Sequence, residues 1–150
     1  MIIPLRAQDI TVIKERDLNF GMVFTGTNQT LIINLEDPGT AFFEITGPRN
    51  AEVYISFILP TNLLNNNGNG SIPLFFDDTS AGWHRFAHQT PPGNQQFDPA
   101  IGIDARIHPG GGGQIGSMFV WLGGFLTIEA QQPAGAYSGT ATIIIERTDI

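Results

Sequence analysis

The sequence predicts an all-β chain folded as an antiparallel β-sandwich. Eighteen glycines, ten prolines and eleven phenylalanines among 150 residues, with few charged side chains, are typical of many short strands joined by turns. No stretch keeps apolar residues at helical spacing over three turns without a glycine or a proline. A chain of this length fits one domain. We therefore expect an N-terminal tail over residues 1–9 and a single sandwich over residues 10–150.

The first half of the chain predicts four strands, over residues 10–14, 30–36, 41–46 and 51–59. In the last two, alternate apolar side chains are expected to face inward, namely Phe43, Ile45, Val53 and Ile55. Turn residues at 37–40 and 47–50 separate the last three strands, because proline and glycine supply the φ angles of tight turns. Two successive hairpins are expected, assembled as an antiparallel meander.

The second half predicts further strands over residues 72–76, 101–107, 118–122 and 125–130. Loop tips rich in asparagine and glycine are expected at 65–71 and 110–113, because these residues tolerate left-handed backbone. Gly123 and Gly124 form the expected hinge between the strands on either side of them. About nine strands at this spacing are typical of a β-sandwich.

The last predicted strand is the longest and the most regular. A turn at Pro133 and Gly135 leads into a run that reaches Arg147. One face of this strand carries Tyr137, Ala141, Ile143 and Ile145. No predicted strand follows it, so it must pair on both sides or leave a hydrophobic edge open.

Composition excludes several classes of partner and of chemistry. The formal net charge is −7, and Lys14 is the one lysine, so the chain is a poor counterion for nucleic acid or an anionic membrane surface. No apolar run approaches the ~20 residues of a membrane-spanning helix, so no membrane insertion is expected. The absence of cysteine excludes a disulfide, a thiolate nucleophile and a cysteine metal site.

The sequence predicts no enzyme, no cofactor and no metal site. No serine lies in the Gly-x-Ser-x-Gly pattern of serine hydrolases. His84 and His88 have a spacing that suits a metal on a helix, but Gly82 and the prolines that follow argue against a helix there. Four aspartates supply oxygen ligands for calcium but lack the spacing of a calcium loop, so turn capping is the expected role of Asp77, Asp78, Asp98 and Asp104.

The two tryptophans are expected in different environments, Trp121 in the core and Trp83 on the surface. Trp121 lies in the predicted strand 118–122, where a core or inter-sheet position is the usual reason for an indole. Trp83 lies in a loop-like region beside a histidine and an arginine. An exposed indole there would offer a platform for a sugar ring, which makes Trp83 the candidate glycan contact.

Three segments, taken in order, carry a resemblance to a known family. They are Ile10-Thr11-Val12 with Asp17-Leu18-Asn19-Phe20-Gly21, then Gly124-Phe125-Leu126-Thr127-Ile128, then Pro133-Ala134-Gly135-Ala136-Tyr137-Ser138-Gly139-Thr140 with Ile143-Ile144-Ile145. On these residues the chain resembles a secreted bacterial pilin-like domain of unknown function, which is itself similar to spore-coat-U and archaic chaperone–usher pilin domains. The resemblance implies an immunoglobulin-like sandwich that lacks its final strand. In chaperone–usher pilins the resulting groove is filled by the N-terminal extension of the next subunit.

The N-terminal tail has the pattern that a donor strand needs, because Met1, Ile3, Leu5 and Ala7 alternate with the residues between them. Two observations argue against donation. Pro4 has no backbone N–H to donate to a β-ladder, and eight residues span at most ~27 Å, which is short for both a linker and a full donor strand. Three roles stay open for the tail: donation to another subunit, pairing within its own subunit, or a remnant of a cloning or signal sequence. The accepting groove is expected to be lined by Ile10, Val12, Tyr137, Ala141, Ile143 and Ile145.

The expected function is structural. The resemblance and the open last strand together indicate a subunit of an extracellular, cell-surface, pilus-like filament, a homopolymer assembled by β-strand donation. The alternative is a surface-displayed module that binds a glycan through Trp83 without polymerising. The filament hypothesis requires the N-terminal tail for assembly, whereas the glycan hypothesis requires the Trp83 indole for binding.

Overall fold

The computed structural model describes residues 10–23, 26, 28–87, 91–108 and 114–149, and the chain is all-β within them. In chain order the strands of these residues are β1 (Thr11–Arg16), β2 (Met22–Val23), β3 (Gln29–Ile33), β4 (Ala41–Pro48), β5 (Glu52–Ile58), β6 (Asn62–Asn65), β7 (Ser71–Phe75), β8 (Ala81–His84), β9 (Gln96–Phe97), β10 (Ile103–Arg106), β11 (Ile115–Leu122), β12 (Gly124–Ile128), β13 (Gly135–Ser138) and β14 (Thr142–Arg147). A single 3-10 turn at Gly93–Gln95 is the one helical element of the described chain. The predicted fold class, an antiparallel β-sandwich, is confirmed.

The strands form three antiparallel sheets. A five-stranded sheet has the order β1-β4-β11-β8-β9, and a three-stranded sheet has the order β10-β5-β14. A six-stranded sheet has the order β2-β13-β6-β7-β12-β3. Most neighbours in these sheets are distant in sequence, so the topology depends on long-range pairing rather than on hairpins.

The first core lies between the five-stranded and the three-stranded sheets. Burial alternates residue by residue along β4, as expected for a strand with one face in the core. Most of its fully buried apolar side chains come from β4, β5 and β11, and they include Ile45, Val53, Ile55, Met118 and Val120. Inward-facing residues of both sheets are therefore packed against one another, which is the arrangement of a β-sandwich.

A second core lies under the six-stranded sheet. Its buried members are Leu63, Ile72, Leu74, Leu126 and Ile128. The partly buried Phe76 packs against both cores. The two apolar clusters are thus joined by one aromatic side chain.

The predicted meander is wrong. The strands β3, β4 and β5 do not pair with one another: β3 pairs with β12, β4 with β1 and β11, and β5 with β10 and β14. The turn after β4 carries the chain to the opposite sheet, and Asn50 adopts a φ of 62° there. Gly47, near the end of β4, leaves room for the side chain of Ile10, because a Cβ atom on it would lie 2.6 Å from Ile10 Cδ1. Local alternation predicted the strands correctly but could not specify their partners.

The predicted long C-terminal strand is two strands in different sheets. β13 belongs to the six-stranded sheet and β14 to the three-stranded sheet. The chain changes sheet at Gly139, where a Cβ atom would lie 3.0 Å from Leu63 Cδ2 and 3.2 Å from Pro60 Cγ. The predicted hinge at Gly123 and Gly124 is confirmed, because β11 ends and β12 begins there.

The predicted strand over residues 101–107 is shorter than expected. β10 covers only Ile103–Arg106, and Ile101 lies in a turn with 71% of its surface exposed. Asp98 Oδ1 accepts a hydrogen bond of 2.9 Å from the backbone N–H of Ala100 and so fixes this turn. An aspartate that binds backbone groups two residues ahead competes with strand formation, which explains the shorter strand.

Candidate functional site: an open seam between two sheets

Two sheet edges lie on the same side of the sandwich and are not joined. β1 is the terminal strand of the five-stranded sheet and pairs only with β4 among the described residues. β14 is the terminal strand of the three-stranded sheet and, within the same residues, pairs only with β5. Lys14 of β1 and Ala141, immediately before β14, border one cleft. We call this side, bounded by Thr11–Arg16 and Thr142–Arg147, the seam.

Core-facing residues at the seam are incompletely covered. Val12 lies opposite Ile45 in the antiparallel register and so points to the same side of the sheet. Ile45 is fully buried, whereas 39% of Val12 is exposed. Across the seam, Ile143 and Ile145 are opposite core residues of β5 and are only partly buried. The partial exposure of these residues indicates that the described part of the chain does not fully cover the outer side of either edge.

The seam opens into a cleft of about 430 Å³ that extends between the two cores. We call it the seam cleft. Its apolar lining includes Ala41 and Phe43 of the first core together with Leu63 and Leu74 of the second. Polar residues at its rim include Lys14, Asp17, Asn19, Ser138 and Thr140. An apolar floor with a polar rim is typical of a site that accepts an apolar side chain.

The segment that follows β1 builds one wall of the seam cleft. The backbone N–H of Asn19 donates to Gly39 O at 2.8 Å, and Asn19 Oδ1 accepts a hydrogen bond from Gly21 N at 2.8 Å. These bonds fix an extended segment in which Leu18 packs on the first core and Phe20 on the second. Leu18 and Phe20 therefore hold this wall against both cores.

The segment around β13 builds the opposite wall. The hydroxyl of Tyr137 donates a 2.6 Å hydrogen bond to Pro133 O and accepts one of 3.0 Å from Gln132 Nε2. The Tyr137 side chain packs against the second core. A tyrosine hydroxyl bound to backbone a few residues upstream is the arrangement of the tyrosine corner in immunoglobulin-type sandwiches. It fixes the turn that leads into residues 138–141 of the wall.

The rim charges contribute little to stability. Lys14 Nζ and Asp17 Oδ1 are 2.7 Å apart, but both side chains are more than half exposed. Water screens such a pair, so its contribution is about 0–1 kcal/mol. At the far end of β14, a hydrogen bond from Arg147 lowers the pKa of Asp149, with a distance of 2.6 Å between Arg147 Nε and Asp149 Oδ1. The seam cleft therefore combines an apolar part, formed by residues of both cores, with a polar rim on which the Lys14–Asp17 ion pair is screened by water.

The structure brings most of the predicted groove residues to this region. Val12, Ile143 and Ile145 lie on the two edge strands, and Ile10 packs against the first core just before β1. Ala141 and Tyr137 line the seam cleft, Tyr137 from the six-stranded sheet. The predicted donor residues lie outside the described part of the chain, namely Met1, Ile3, Leu5 and Ala7.

Sequence reasoning missed four apolar residues that line the seam cleft, Leu18, Phe20, Leu63 and Leu74. The alternation of Leu18 and Phe20 within Asp-Leu-Asn-Phe-Gly was a usable signal for an extended segment with one inward face. No local signal indicated the other two. Their position depends on the pairing of β6 with β7, which brings Leu63 opposite Ile72.

Trp83 occupies a strand rather than the exposed loop that the sequence predicted. It lies in β8 opposite the buried Val120, and its ring packs partly buried against the first core. Its exposed part borders a second cleft of about 500 Å³ with Glu52, Asp104 and Arg106. Trp121 is fully buried as expected, stacked on Phe42 with ring centroids 5.1 Å apart.

The expected capping roles of Asp77 and Asp98 are confirmed, whereas the same expectation is wrong for Asp104, which lies within β10 and not in a turn. Asp77 Oδ1 accepts hydrogen bonds from Thr79 N at 2.9 Å and from Thr79 Oγ1 at 2.7 Å, and these bonds lower the pKa of Asp77. Asp98 caps its own turn in the same manner.

The histidines form aromatic contacts in the structure. His84 Nδ1 accepts a hydrogen bond from Phe86 N at 2.9 Å, and the ring of His108 lies 5.1 Å from that of Phe86. His88 lies outside the described residues. In the part of the chain that the structure describes, no three His, Asp or Glu side chains converge as a metal site requires. The same residues include no helix long and apolar enough to cross a membrane.

Comparison with known families gives one match. Residues 25–146 match the model of a family described as a domain of unknown function, DUF4402. Searches of curated proteins and of solved structures find no match. The matched range contains both the strand β12 and the wall segment around Tyr137, and it covers most of the chain. The chain therefore belongs to the DUF4402 family.

Proposed function

We propose that the protein is a structural subunit of an extracellular, pilus-like filament, in which the seam accepts a β-strand from another copy. The observation that carries the proposal is the partial exposure of core-facing residues on two edges that have no outer partner among the described residues, Val12 on one and Ile143 and Ile145 on the other. An added strand would hydrogen-bond to an exposed edge and place alternate side chains over the apolar floor.

The likeness to pilin-like domains supports the same proposal. Two of the segments that carry that resemblance meet at the seam cleft, because Asp17, Leu18 and Phe20 line one wall and Tyr137 and Ser138 the other. Residues far apart in sequence are thus brought to one site. The tyrosine-corner contact adds a feature of immunoglobulin-type sandwiches, the fold that the resemblance implies.

The proposed donor is the N-terminal tail, with Met1, Ile3 and Leu5 as inserted anchors. Burial of three such side chains at ~25 cal/mol per Å² would give several kcal/mol per junction before the cost of ordering the tail. The floor of the seam cleft is formed by buried residues of both cores, so the acceptor is preorganised. A preformed groove lowers the ordering cost of association.

Deletion of residues 1–8 tests the role of the tail. The full chain and the deleted chain are compared by sedimentation velocity, by negative-stain electron microscopy and by thermal unfolding. Strand donation predicts linear assemblies from the full chain and a folded monomer from the deleted chain. A synthetic peptide of residues 1–9 should then bind that monomer and raise its Tm.

Other outcomes identify the other roles of the tail. If the tail pairs within its own subunit, the full chain stays monomeric at every concentration and the deletion lowers its Tm. If the tail is a remnant, neither assembly nor Tm changes. Either result would refute donation by the tail.

A second candidate function is glycan binding at the cleft beside Trp83. The observation that favours it is the grouping of an indole with Arg106, Glu52 and Asp104, since aromatic faces and charged hydrogen-bonding groups together are suited to sugars. Arg106 Nη2 already donates to Glu52 Oε1 and so holds that side of the cleft. A glycan array with Trp83→Ala as the control tests this function, which predicts binding that the substitution abolishes and the tail deletion leaves unchanged.

A further inference from the structure

Four neighbouring strands of the six-stranded sheet carry no charged residue on their outer side. These strands are β3, β12, β7 and β6, and their outward residues are aliphatic, aromatic, proline or uncharged polar residues. We call this surface the neutral face. Glu129, just after β12, lies at its margin. By contrast, the outer side of the three-stranded sheet bears Glu52, Asp104, Arg106 and Glu146. In a chain of net charge −7, the outward residues of these four strands thus form a neutral surface.

An apolar row crosses the neutral face. The register places Ile32 opposite Phe125, and Phe125 opposite Phe75, so these side chains stand in line across three neighbouring strands. Ile32 is 58% exposed and Phe75 is 47% exposed. Leu64 on β6 adds a further aliphatic side chain with 60% exposure. Exposed apolar groups in register on one flat face indicate an interaction surface.

Two aromatic side chains of this row are in contact with each other. Phe75 and Phe125 are stacked, with centroids 5.8 Å apart and an angle of 25° between the ring planes. The pair forms one continuous apolar contact surface, of the kind with which side chains of an opposing sheet interdigitate.

The absence of charge on the neutral face restricts the kind of partner that can bind it. A strongly acidic or basic partner would find no opposite charges among the outward residues of the neutral face, and would lose hydration there without compensation. The same face of a second copy is neutral, is apolar in the same row and carries no like charges to repel, despite the net charge of −7. A two-fold axis makes such a contact self-complementary.

We propose that the neutral face packs against the neutral face of a second copy, as two β-sheets stacked face to face. Stacked sheets lie about 10 Å apart and interdigitate their side chains, which suits the row of Ile32, Phe125 and Phe75. This contact is separate from the seam, because it uses a sheet face and leaves the edges β1 and β14 free. It would pair subunits or filaments side by side.

Sedimentation velocity of the full chain over a range of concentrations tests the proposal. Ile32→Lys and Ile32→Glu should each weaken pairing at least tenfold, because a charge of either sign would be buried without a partner. Ile58→Lys is the matched control, since Ile58 is an outward strand residue with 61% exposure on the three-stranded sheet. Circular dichroism of each variant verifies the fold, and Phe75→Lys repeats the test at a second position.

The outcomes separate this contact from strand addition. If filaments form, electron microscopy should show paired filaments for the unsubstituted chain and single ones for Ile32→Lys. If the seam does not assemble at all, the unsubstituted chain should still form dimers that Ile32→Lys dissociates. A chain that shows neither dimers nor paired filaments, or equal effects of Ile32→Lys and Ile58→Lys, would overturn the proposal.

Discussion

Truncation of Val12 to alanine should cost the free subunit less stability than the same truncation of Val53. Both valines face the core, Val12 from β1 and Val53 from β5, but Val12 is 39% exposed and Val53 is fully buried. Removal of two buried methyl groups costs ~1.6 kcal/mol at ~0.8 kcal/mol each, and an enclosed cavity raises this to roughly 2–3 kcal/mol. Because about three fifths of Val12 is buried, its truncation should cost about three fifths of the transfer free energy, ~1 kcal/mol. It leaves no enclosed cavity, so no cavity cost is added.

Urea unfolding of the dilute, unassembled protein measures both costs. The two variants should share the m-value of the parent chain, so that the shift in midpoint reports stability alone. In assembled protein, an added strand would cover Val12, and its cost should approach that of Val53. Equal costs in the dilute monomer would show that the seam is already covered, and would refute the open-edge interpretation.

Further predictions concern two turns. Gly102→Ala should destabilise the fold by about 1–3 kcal/mol in chemical denaturation, because Gly102 has a φ of +94° and a Cβ atom would lie 2.6 Å from Ile55 O. Gly93→Ala, which meets nothing within 4 Å, is its control and should leave stability unchanged or slightly raised. Asp77→Ala should cost about 1 kcal/mol at neutral pH by removing the hydrogen bonds to Thr79. Because folding lowers the pKa of Asp77, that cost should be constant above its unfolded pKa of about 3.9 and should vanish as the pH falls through the lower folded value. A cost that persisted in acid would contradict the role of the ionised carboxylate.

The sequence was sufficient to predict several strands and their inward faces, but it missed β6 and β8 and did not specify the partners of any strand. The alternation in residues 41–46 and 51–59 placed Ile45 and Ile55 in the core correctly, because side-chain direction in a strand is a local property. Whether β4 pairs with β5 or with β11 depends on contacts between residues far apart in sequence. The predicted hairpins failed for that reason.

The positions of the candidate groove residues depend on local and on long-range features. Ile143 and Ile145 were selected from their own alternation and Val12 as lying across from them, and the structure has all three on the edge strands of the seam, while their role as an acceptor groove stays a prediction. Leu63 and Leu74 line the same cleft only because the six-stranded sheet packs beside the sandwich. The change of sheet at Gly139 could not be predicted from the sequence. A glycine within a strand pattern does not indicate which side chain lies close to it.

Hydrogen exchange along β14 tests strand addition most directly. Thr148 N donates to Glu52 O at 2.8 Å, and amides alternate in direction along an antiparallel strand. The amides of Ile144 and Glu146 therefore face β5, whereas those of Ile143, Ile145 and Arg147 face the open side of the seam.

Nuclear magnetic resonance on dilute and on assembled protein resolves these amides individually. Strand addition predicts that the amides of Ile143, Ile145 and Arg147 exchange quickly in the free subunit and become protected on assembly. The amides of Ile144 and Glu146 should be protected in both states. Assemblies in which the first set still exchanges quickly would contradict strand addition at the seam.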